Sequence, residues 1–371
     1  MAVGKLLILS CDLGGGHISA AYAIAEALEK IGVAYELVDP LTFGSDKVRK
    51  VVSCSYDGGV KKATSAFSFI GKVGYYYNRS RLAYSAYFAN SQYAKLMHTY
   101  IVGGGFDAII CAHEYAAEAL SVAKKRSPLP IPCYGVLTDY SCPNSFSDAK
   151  LDGYFIPHSS LIPILAGKGV PTARIHCTGV PVSDNFFVRT DRVAARNYLV
   201  IPKSQKVLLI SSVGSSYKSV AAICDELLSS PINDLTAYVL VGRNDDMKDE
   251  LDRRYLGTPK IRTVTYNEKV CLYMNAADVM ILRPDGLASS EAAAANIPLV
   301  HIARASNESN TASFYADHGM SVKVTNEKEA ARVALGLINN TAQIQGMLSA
   351  QRECVSANAS QNIISYIQKN A

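Results

Sequence analysis

The sequence predicts an α/β protein with two doubly wound, Rossmann-like domains. Short apolar runs alternate with longer helix-type segments, as in parallel sheets that carry helices on both faces. The alternation occurs twice, in two halves separated by a polar stretch at about 184–191. The length of 371 residues also exceeds what one hydrophobic core usually serves. We therefore expect domains at 1–185 and 186–345 that face a cleft, and a C-terminal helix within 346–371 that crosses back to the first domain.

The composition describes a globular protein and excludes several other classes. Hydrophobic residues make up 49% of the chain and charged residues 19%, as in chains with a large core. There are 37 basic and 32 acidic residues, so the net charge of +5 is only mildly basic. This charge is far from that of a nucleic-acid-binding arm, but it suits an anionic membrane surface or phosphorylated substrates.

Targeting and cysteine patterns favour a cytoplasmic protein. No apolar run approaches the ~20 residues that a membrane-spanning helix needs. No basic segment followed by an apolar stretch and a cleavage site indicates secretion. The nine cysteines show no paired spacing, so we expect them to be reduced.

Polar residues follow several of the six strands predicted in the first half. These strands span 5–10, 34–38, 106–111, 130–138, 153–156 and 174–177. Three glycines and His17 follow the first strand, Glu114 follows the third, and Asp139 follows the fourth. Because parallel strands end at one edge of a sheet, where ligands bind, these side chains are predicted to line one site. The alternative for His17 is a structural role, which is more common for a lone histidine.

The second half contains a strand–loop–helix unit that favours an anion. Its predicted strands span 206–211, 236–242, 262–265, 279–282, 299–302 and 321–324. The strand 279–282 leads through Arg-Pro-Asp-Gly into an alanine-rich helix that Ser289 and Ser290 are predicted to cap. Free N–H groups at a helix start favour a phosphate or carboxylate, and Glu291 would reach ligand hydroxyls. The alternative is an ordinary crossover with a well-capped helix.

The segment 61–100 interleaves tyrosines and phenylalanines with lysines and arginines. This mixture suits a membrane interface, where each ring has one apolar and one wet side. The alternative is a set of helices with aromatic cores that pack on the sheet. A nucleic-acid surface is disfavoured, because the basic residues are too sparse for a phosphate track.

Several motifs together resemble one family. They are Gly14-Gly15-Gly16-His17, Thr138-Asp139-Tyr140, Thr178-Gly179-Val180-Pro181-Val182, Val241-Gly242-Arg243-Asn244 and Pro284-Asp285-Gly286-Leu287-Ala288-Ser289-Ser290-Glu291-Ala292. They resemble the glycine-rich loop, the T-D-(F/Y) and T-G-I-P-V segments, the C-G-x-N strand end and the P-G-G-L-T-x-x-E-A donor motif of glycosyltransferase family 28. The chain is similar in particular to monogalactosyldiacylglycerol synthases and bacterial processive diacylglycerol glucosyltransferases. This resemblance implies the GT-B fold and transfer of a hexose from a UDP-sugar.

The resemblance implies that the second domain binds the UDP-sugar donor. The backbone of 286–290 would hold the diphosphate, and Glu291 would hold the ribose hydroxyls. The loop at 214–215 would face the phosphate and sugar, and 266–270 would line the uracil slot. The residues implied are Gly214, Ser215, Arg243, Tyr266, Val270, Gly286, Leu287, Ala288, Ser289, Glu291, Asn307 and Glu308.

The resemblance also implies that the first domain binds a lipid acceptor such as diacylglycerol, peripherally on the inner face of the cell membrane. The implied acceptor-binding residues are Gly15, Gly16, Glu114 and Tyr140. His17 or Asp139 would deprotonate the acceptor hydroxyl, and attack from the opposite face would invert the anomeric centre. No metal or cofactor is expected, because helix dipoles neutralise the departing UDP and no Asp-x-Asp motif is present.

Departures from the family pattern bear on the activity. Asp285 replaces the first glycine of the G-G pair and brings a carboxylate to the expected diphosphate position. This charge would weaken donor binding unless Arg283 or a lysine pairs with it. The loop 212–216 is less glycine-rich than expected, and the family's histidine and tryptophan after Asp139 are absent.

Other functions compatible with the sequence are transfer to a non-lipid acceptor, nucleotide-sugar epimerisation, and binding of a nucleotide sugar without turnover. The charge of Asp285 favours the last of these. A dinucleotide oxidoreductase is disfavoured, because no G-x-G-x-x-G fingerprint follows a strand.

Overall fold

The computed structural model describes residues 4–10, 16–40, 43, 93–265, 269–304 and 306–370. They form two compact units. Unit 1 contains 1–183 together with 358–371, and unit 2 contains 184–357. The part of the predicted membrane surface at 61–92 lies outside the described residues.

Within its described residues, unit 1 has one parallel sheet with helices packed on it. The strands are β1 (Lys5–Leu9), β2 (Ala34–Val38), β3 (Ala108–Cys111), β4 (Cys133–Val136), β5 (Gly153–Ile156) and β6 (Ile175–Cys177). Their order across the sheet is β2-β1-β3-β4-β5-β6, and all pairs are parallel. The helices are α1 (Gly16–Lys30), α2 (Tyr93–Gly103), α3 (Glu114–Arg126), α4 (Asn144–Asp148) and α5 (Ile162–Gly167).

The central strand β1 is buried on both faces. Leu7 and Leu9 pack in one core with residues of α3, such as Leu120. Leu6 and Ile8 face a second core that includes residues of α1. Burial on both faces explains why this strand is a continuous apolar run rather than an alternating one.

Unit 2 repeats this architecture. Its strands are β7 (Lys206–Ser211), β8 (Leu235–Gly242), β9 (Ile261–Thr265), β10 (Val279–Leu282), β11 (Leu299–Ile302) and β12 (Val322–Val324). Their order is β12-β11-β10-β7-β8-β9, again with parallel pairs. The helices are α6 (Arg192–Tyr198), α7 (Tyr217–Leu228), α8 (Asp245–Arg254), α9 (Val270–Ala276), α10 (Gly286–Ala294), α11 (Ser306–Asp317), α12 (Glu327–Leu337) and α13 (Thr341–Cys354). The two parallel sheets confirm the predicted fold class, and each predicted strand is present within a few residues of its predicted bounds.

The C-terminal segment differs from the prediction. One helix was expected within 346–371, but the structure has the end of α13, which belongs to unit 2, and α14 (Ala359–Asn370), which belongs to unit 1. In α14, Ile363 and Ile367 are fully buried in the core that also contains residues of α1. The ring of Tyr366 stacks on His176 of β6, with 4.0 Å between the ring centroids. The chain therefore completes unit 1 with a segment that follows unit 2 in sequence.

Each sheet reverses its strand order at one point. In unit 1 the chain leaves β1 toward β2 on one side and continues through β3 on the other. In unit 2 the corresponding pair is β7 and β10. Connections at such a point run to opposite faces of the sheet and leave a crevice at the carboxyl ends of the two strands, which is where ligands bind in this class of fold.

A buried ion pair fixes the start of β10. Asp278, the residue before β10, accepts hydrogen bonds from Arg196 Nη2 at 3.0 Å, Arg192 Nη1 at 2.7 Å and the Val207 N–H at 2.7 Å. The Arg196 side chain is only 5% exposed. This carboxylate therefore holds α6 and β7 against the strand that leads to the predicted donor motif.

We expect Asp278→Ala to lower the free energy of unfolding of unit 2 by about 3–5 kcal/mol, because the Arg196 guanidinium would stay buried without its carboxylate. Urea denaturation followed by circular dichroism measures this change. Arg332→Ala, which removes a 66%-exposed partner of Glu226, is the control and should cost only about 0–1 kcal/mol. Equal effects of the two substitutions would show that the Asp278 pair does not stabilise the unit.

Candidate active site

Two loops at the carboxyl edge of the unit 2 sheet border the crevice between β7 and β10. The first loop is 212–216 and the second is 283–285. Arg283 joins them, since its Nη1 donates a hydrogen bond to the Gly214 carbonyl oxygen at 2.5 Å. Gly214 has φ +68°, a conformation that favours glycine at this position. The Arg283 guanidinium therefore links the loop at 283–285 to the loop at 212–216.

Helix α10 begins earlier than predicted, and its cap is Asp285. The Asp285 carboxylate accepts a hydrogen bond from the Ala288 N–H at 2.7 Å, with the backbone of Asp285 extended. The prediction that Ser289 and Ser290 cap the helix is wrong. Both serines lie inside the helix and are fully buried, because Gly286 to Ala288 already form its first turn.

The cap leaves part of the helix N-terminus available. The Ala288 N–H is bonded to the Asp285 carboxylate, and the Ser289 N–H is bonded to the Asp285 carbonyl. The N–H groups of Gly286 and Leu287 have no hydrogen-bond acceptor among the described residues. These two amides, with the helix dipole behind them, are hydrogen-bond donors of the kind that suits an anion, and they lie beside the carboxylate of the cap.

Glu291 lies one turn further along α10 and is partly exposed. Among the described residues its carboxylate has no hydrogen-bond or ion-pair partner. Burial, and secondarily the negative charge of Asp285, raise the pKa of the Glu291 carboxyl to about 8. A half-buried carboxyl group without a protein partner can accept hydrogen bonds from the hydroxyls of a ligand.

The other predicted donor residues differ in their exposure and in whether the structure describes them. Ser215 is partly exposed in the first loop, and Arg243 is exposed after β8. Val270 begins α9 and is partly exposed, and Leu287 is 4% exposed at the start of α10. The Ser289 hydroxyl faces His301, its N–H is bonded to the Asp285 carbonyl, and the residue is fully buried, so neither group is available to a ligand. Tyr266 lies outside the described residues, as do the side chains of Asn307 and Glu308, whose backbones lie in the first turn of α11.

The crevice of unit 1 lies between β1 and β3, where the predicted acceptor residues gather. Helix α1 begins at Gly16, so His17 lies in its first turn, but the side chain of His17 and all of Gly15 lie outside the described residues. Glu114 begins α3 directly after β3 and is partly exposed. The strands β1 and β3, which precede His17 and Glu114, are parallel neighbours, so their carboxyl ends lie at the same edge of the sheet. That these two side chains share a site stays a prediction.

Asp139 and Tyr140 follow β4, next to β3. The Asp139 carboxylate is partly exposed, and it accepts hydrogen bonds from the Tyr140 N–H at 2.7 Å and from Ser141 Oγ at 3.4 Å. Tyr140 is only 8% exposed. The carboxylate is therefore oriented by its own loop while part of it faces solvent.

The structure adds two polar residues that the sequence analysis missed. Ser10, directly after β1, is fully buried, and its hydroxyl makes no hydrogen bond to the residues that the structure describes. His113, between β3 and Glu114, is 3% exposed. The signal in the sequence is a polar residue that ends an otherwise apolar strand.

Metal binding can be assessed only for the described part of the chain. Within it, no three histidine, cysteine, aspartate or glutamate side chains lie close enough to hold a metal ion. The expectation that the reaction needs no metal or cofactor stays a prediction.

Comparison with known proteins relates the chain to enzymes of glycolipid synthesis. The family model of monogalactosyldiacylglycerol (MGDG) synthase matches residues 17–182. A processive diacylglycerol beta-glucosyltransferase of Bacillus cytotoxicus is 24% identical over 355 residues, which cover 93% of this chain and 88% of that protein. These matches confirm the resemblance that the sequence motifs indicate.

Solved structures share the fold at low sequence identity. MurG of Acinetobacter baumannii gives a TM-score of 0.65 at 14% identity, with 99% of both chains covered. The UDP-GlcNAc 2-epimerase of Neisseria meningitidis, bound to UDP-GlcNAc, gives a TM-score of 0.65 at 13% identity, with 99% of this chain and 100% of that chain covered. These likenesses show the GT-B fold.

We expect Glu291→Gln to stabilise the unliganded protein at alkaline but not at acidic pH. The folded-state pKa of Glu291 is raised from 4.5 to about 8, so folding favours the protonated form. The contribution of Glu291 to stability is therefore fully present below pH 4.5 and is lost as the pH rises toward 8. Glutamine does not ionise and avoids this loss. Each unit of pKa is worth ~1.4 kcal/mol, and after allowance for partial exposure we expect a gain of up to about 3 kcal/mol at pH 8.

Urea unfolding of both proteins at pH 5 and pH 8 measures this gain. The exposed carboxylate Glu250, changed to glutamine, is the control and should alter the pH dependence little. If Glu291→Gln gives no gain at pH 8, the carboxylate is already satisfied in the free protein.

Proposed function

From the resemblance of this chain to diacylglycerol glycosyltransferases, we propose that it is an inverting, UDP-sugar-dependent hexosyltransferase with a membrane lipid, such as diacylglycerol, as acceptor. The observation that carries the proposal is the start of α10, where two amides and, one turn away, a carboxyl group have no partner among the described residues. A nucleoside diphosphate matches this arrangement, since it combines an anion with the adjacent hydroxyls of a ribose.

The donor is proposed to lie across the crevice between β7 and β10. Its diphosphate accepts hydrogen bonds from the Gly286 and Leu287 amides, and the ribose hydroxyls donate to Glu291. Ligand hydroxyls that bond to the ionised carboxylate lower the pKa of Glu291 again. The dipole of α10 and the guanidinium of Arg283 stabilise the charge that develops on UDP as the glycosidic bond breaks.

The acceptor is proposed to lie at the carboxyl edge of unit 1. A base there removes the proton of the acceptor hydroxyl while the oxygen attacks the anomeric carbon from the face opposite to UDP, which inverts that centre. Asp139 is partly exposed and carries a carboxylate for this step, and imidazole, the side chain of His17, is the most common general base. The proposal keeps both, with His17 as the base or its direct support.

Attachment to the membrane is proposed to be peripheral, on the inner face. The support is the aromatic and basic content of 61–100 and the net charge of +5. Of the helices in the described ranges, none is long and apolar enough to cross a bilayer. The lipid acceptor named for the similar Bacillus protein also requires access to a membrane.

We expect the protein to release UDP from UDP-glucose or UDP-galactose, and to form a glycolipid, only when diacylglycerol is present in anionic vesicles. Mass spectrometry of the lipid fraction measures the product.

Glu291→Ala should weaken UDP binding by about 10-fold in calorimetry, because a charge-assisted hydrogen bond is worth ~1.5–3 kcal/mol.

The controls separate the competing functions. A soluble acceptor that supports transfer would favour a non-lipid acceptor, and conversion of UDP-GlcNAc without any acceptor would favour an epimerase. Binding of UDP without turnover of either sugar would favour a binding protein. No binding of UDP at all would refute the proposed donor site.

We expect Asp285→Asn to tighten UDP binding several-fold at low salt. Asparagine caps a helix as well as aspartate does, so the fold of α10 is kept while the negative charge beside the diphosphate is removed. Calorimetry at two salt concentrations measures the change, which should shrink as salt screens the charge.

Asp191→Asn is the matched control for this substitution. Asp191 also caps a helix, through hydrogen bonds from the Val193 and Ala194 N–H groups at the start of α6. It precedes Arg192, which pairs with Asp278 at the amino end of β10, so UDP affinity should not change. Weaker binding by Asp285→Asn would show that the Asp285 carboxylate contributes to the donor site rather than opposing it.

A further inference from the structure

A buried polar cluster lies beneath the start of α10. It consists of Ser289 and Ser290 of α10, His301 of β11, Tyr315 of α11 and Ser321 before β12, and we call it the His301 cluster. Four of its members are 0% exposed and Ser321 is 6% exposed. Buried polar side chains need hydrogen-bond partners, and here they come from four adjoining segments of the chain.

The imidazole of His301 links α10 to the loop before β12. Its Nε2 lies 3.2 Å from Ser289 Oγ, and its Nδ1 lies 3.1 Å from Ser321 Oγ. Complete burial lowers the pKa of His301 to about 3, so the ring is neutral and has one donor and one acceptor nitrogen. Each serine hydroxyl can rotate to match the nitrogen it faces.

Tyr315 provides a second link, from α10 to α11, beside the imidazole ring of His301. Ser290 Oγ donates to the Gly286 carbonyl at 2.6 Å and lies 3.2 Å from the Tyr315 hydroxyl. The rings of His301 and Tyr315 meet edge to face, with 5.2 Å between their centroids. The first turn of α10 is therefore held from below by a tyrosine of the next helix.

The hydrogen bonds of the His301 cluster fix the geometry of the first turn of α10, in addition to any effect on stability. Apolar side chains of the same volume would fill such a core with no need for matched hydrogen bonds. A fully satisfied polar network, in contrast, holds its members in one arrangement. Here the arrangement fixes Gly286, whose amide, with that of Leu287, forms the available anion position.

We propose that Tyr315 and His301 are positioning residues that hold the first turn of α10 in register with α11 for the diphosphate of a nucleotide donor. The inference rests on the proposed function. It adds two residues of β11 and α11 that touch no substrate and act through Ser289 and Ser290.

The test uses Tyr315→Phe and Ser290→Ala in the full-length protein. Tyr315→Phe keeps the ring and its contact with His301 but removes the hydroxyl. Each variant should bind UDP about 5-fold more weakly, as expected for the loss of one hydrogen bond that holds the site. The donor KM should rise by the same factor, while kcat stays within about twofold, since the diphosphate contacts act in both ground and transition states.

A double substitution tests whether Tyr315 and Ser290 act through their shared contact. The Tyr315→Phe, Ser290→Ala protein should bind UDP no more weakly than Ser290→Ala alone, because both changes break the same link. Val300→Ala is the matched control. Val300 precedes His301 in β11 and is fully buried in the core of the unit, so its truncation should lower the melting temperature and leave UDP affinity unchanged.

The outcomes separate this inference from the proposed function. If the wild-type protein binds UDP and both variants bind it equally well despite a lower melting temperature, the cluster is structural only and the inference fails. The inference also fails if Val300→Ala weakens binding as much as the two variants, since affinity would then follow stability. If the wild-type protein binds no UDP, the proposed function fails and this inference fails with it.

Discussion

The reversal of strand order within each parallel sheet is the constraint on which the candidate sites depend. Right-handed crossovers send the helices that follow β7 and β10 to opposite faces of the unit 2 sheet, so neither helix covers the carboxyl ends between them. Unit 1 has the same reversal between β1 and β3. The topology of each sheet therefore brings the polar residues of each candidate site close together. The loops that carry these residues begin at the ends of buried apolar strands.

Electrostatic competition at one helix start sets the character of the unit 2 site. The Asp285 carboxylate caps α10 and takes one of its amides, and its charge helps to raise the pKa of Glu291. A diphosphate bound as proposed would therefore share the helix N-terminus with a carboxylate. Asp285 stands where the similar family has a glycine, so the proposed donor site is opposed by one negative charge.

Much of the fold could be predicted from the sequence, because buried parallel strands are short apolar runs that end at glycine or polar residues. The predicted strands 153–156, 206–211, 279–282 and 299–302 match the observed bounds at both ends. The start of α10 was mispredicted because serine is a common cap. Ser289 and Ser290 are instead buried within the helix, where they contact His301 and Tyr315. The break between α13 and α14 was missed because its residues do not disrupt helical periodicity.

The site was predictable only in part. Glu114 and Asp139 could be identified because topology alone brings the ends of β3 and β4 to one edge of the unit 1 sheet, and Glu291 because it lies in the helix that follows β10 of unit 2. The His301 cluster could not, because its members lie in four separate segments and only the packing of α10 and α11 on β11 brings them together. A histidine inside an apolar strand was the one local signal.

Amide hydrogen exchange of the full-length protein with and without saturating UDP tests the central claim most directly. The claim is that the crevice between β7 and β10 binds a nucleoside diphosphate. It predicts slower exchange at 213–216 and 286–291 when UDP is bound, with little change at 112–114 and 139–141. Protection confined to the unit 1 loops, or no protection at all, would contradict it.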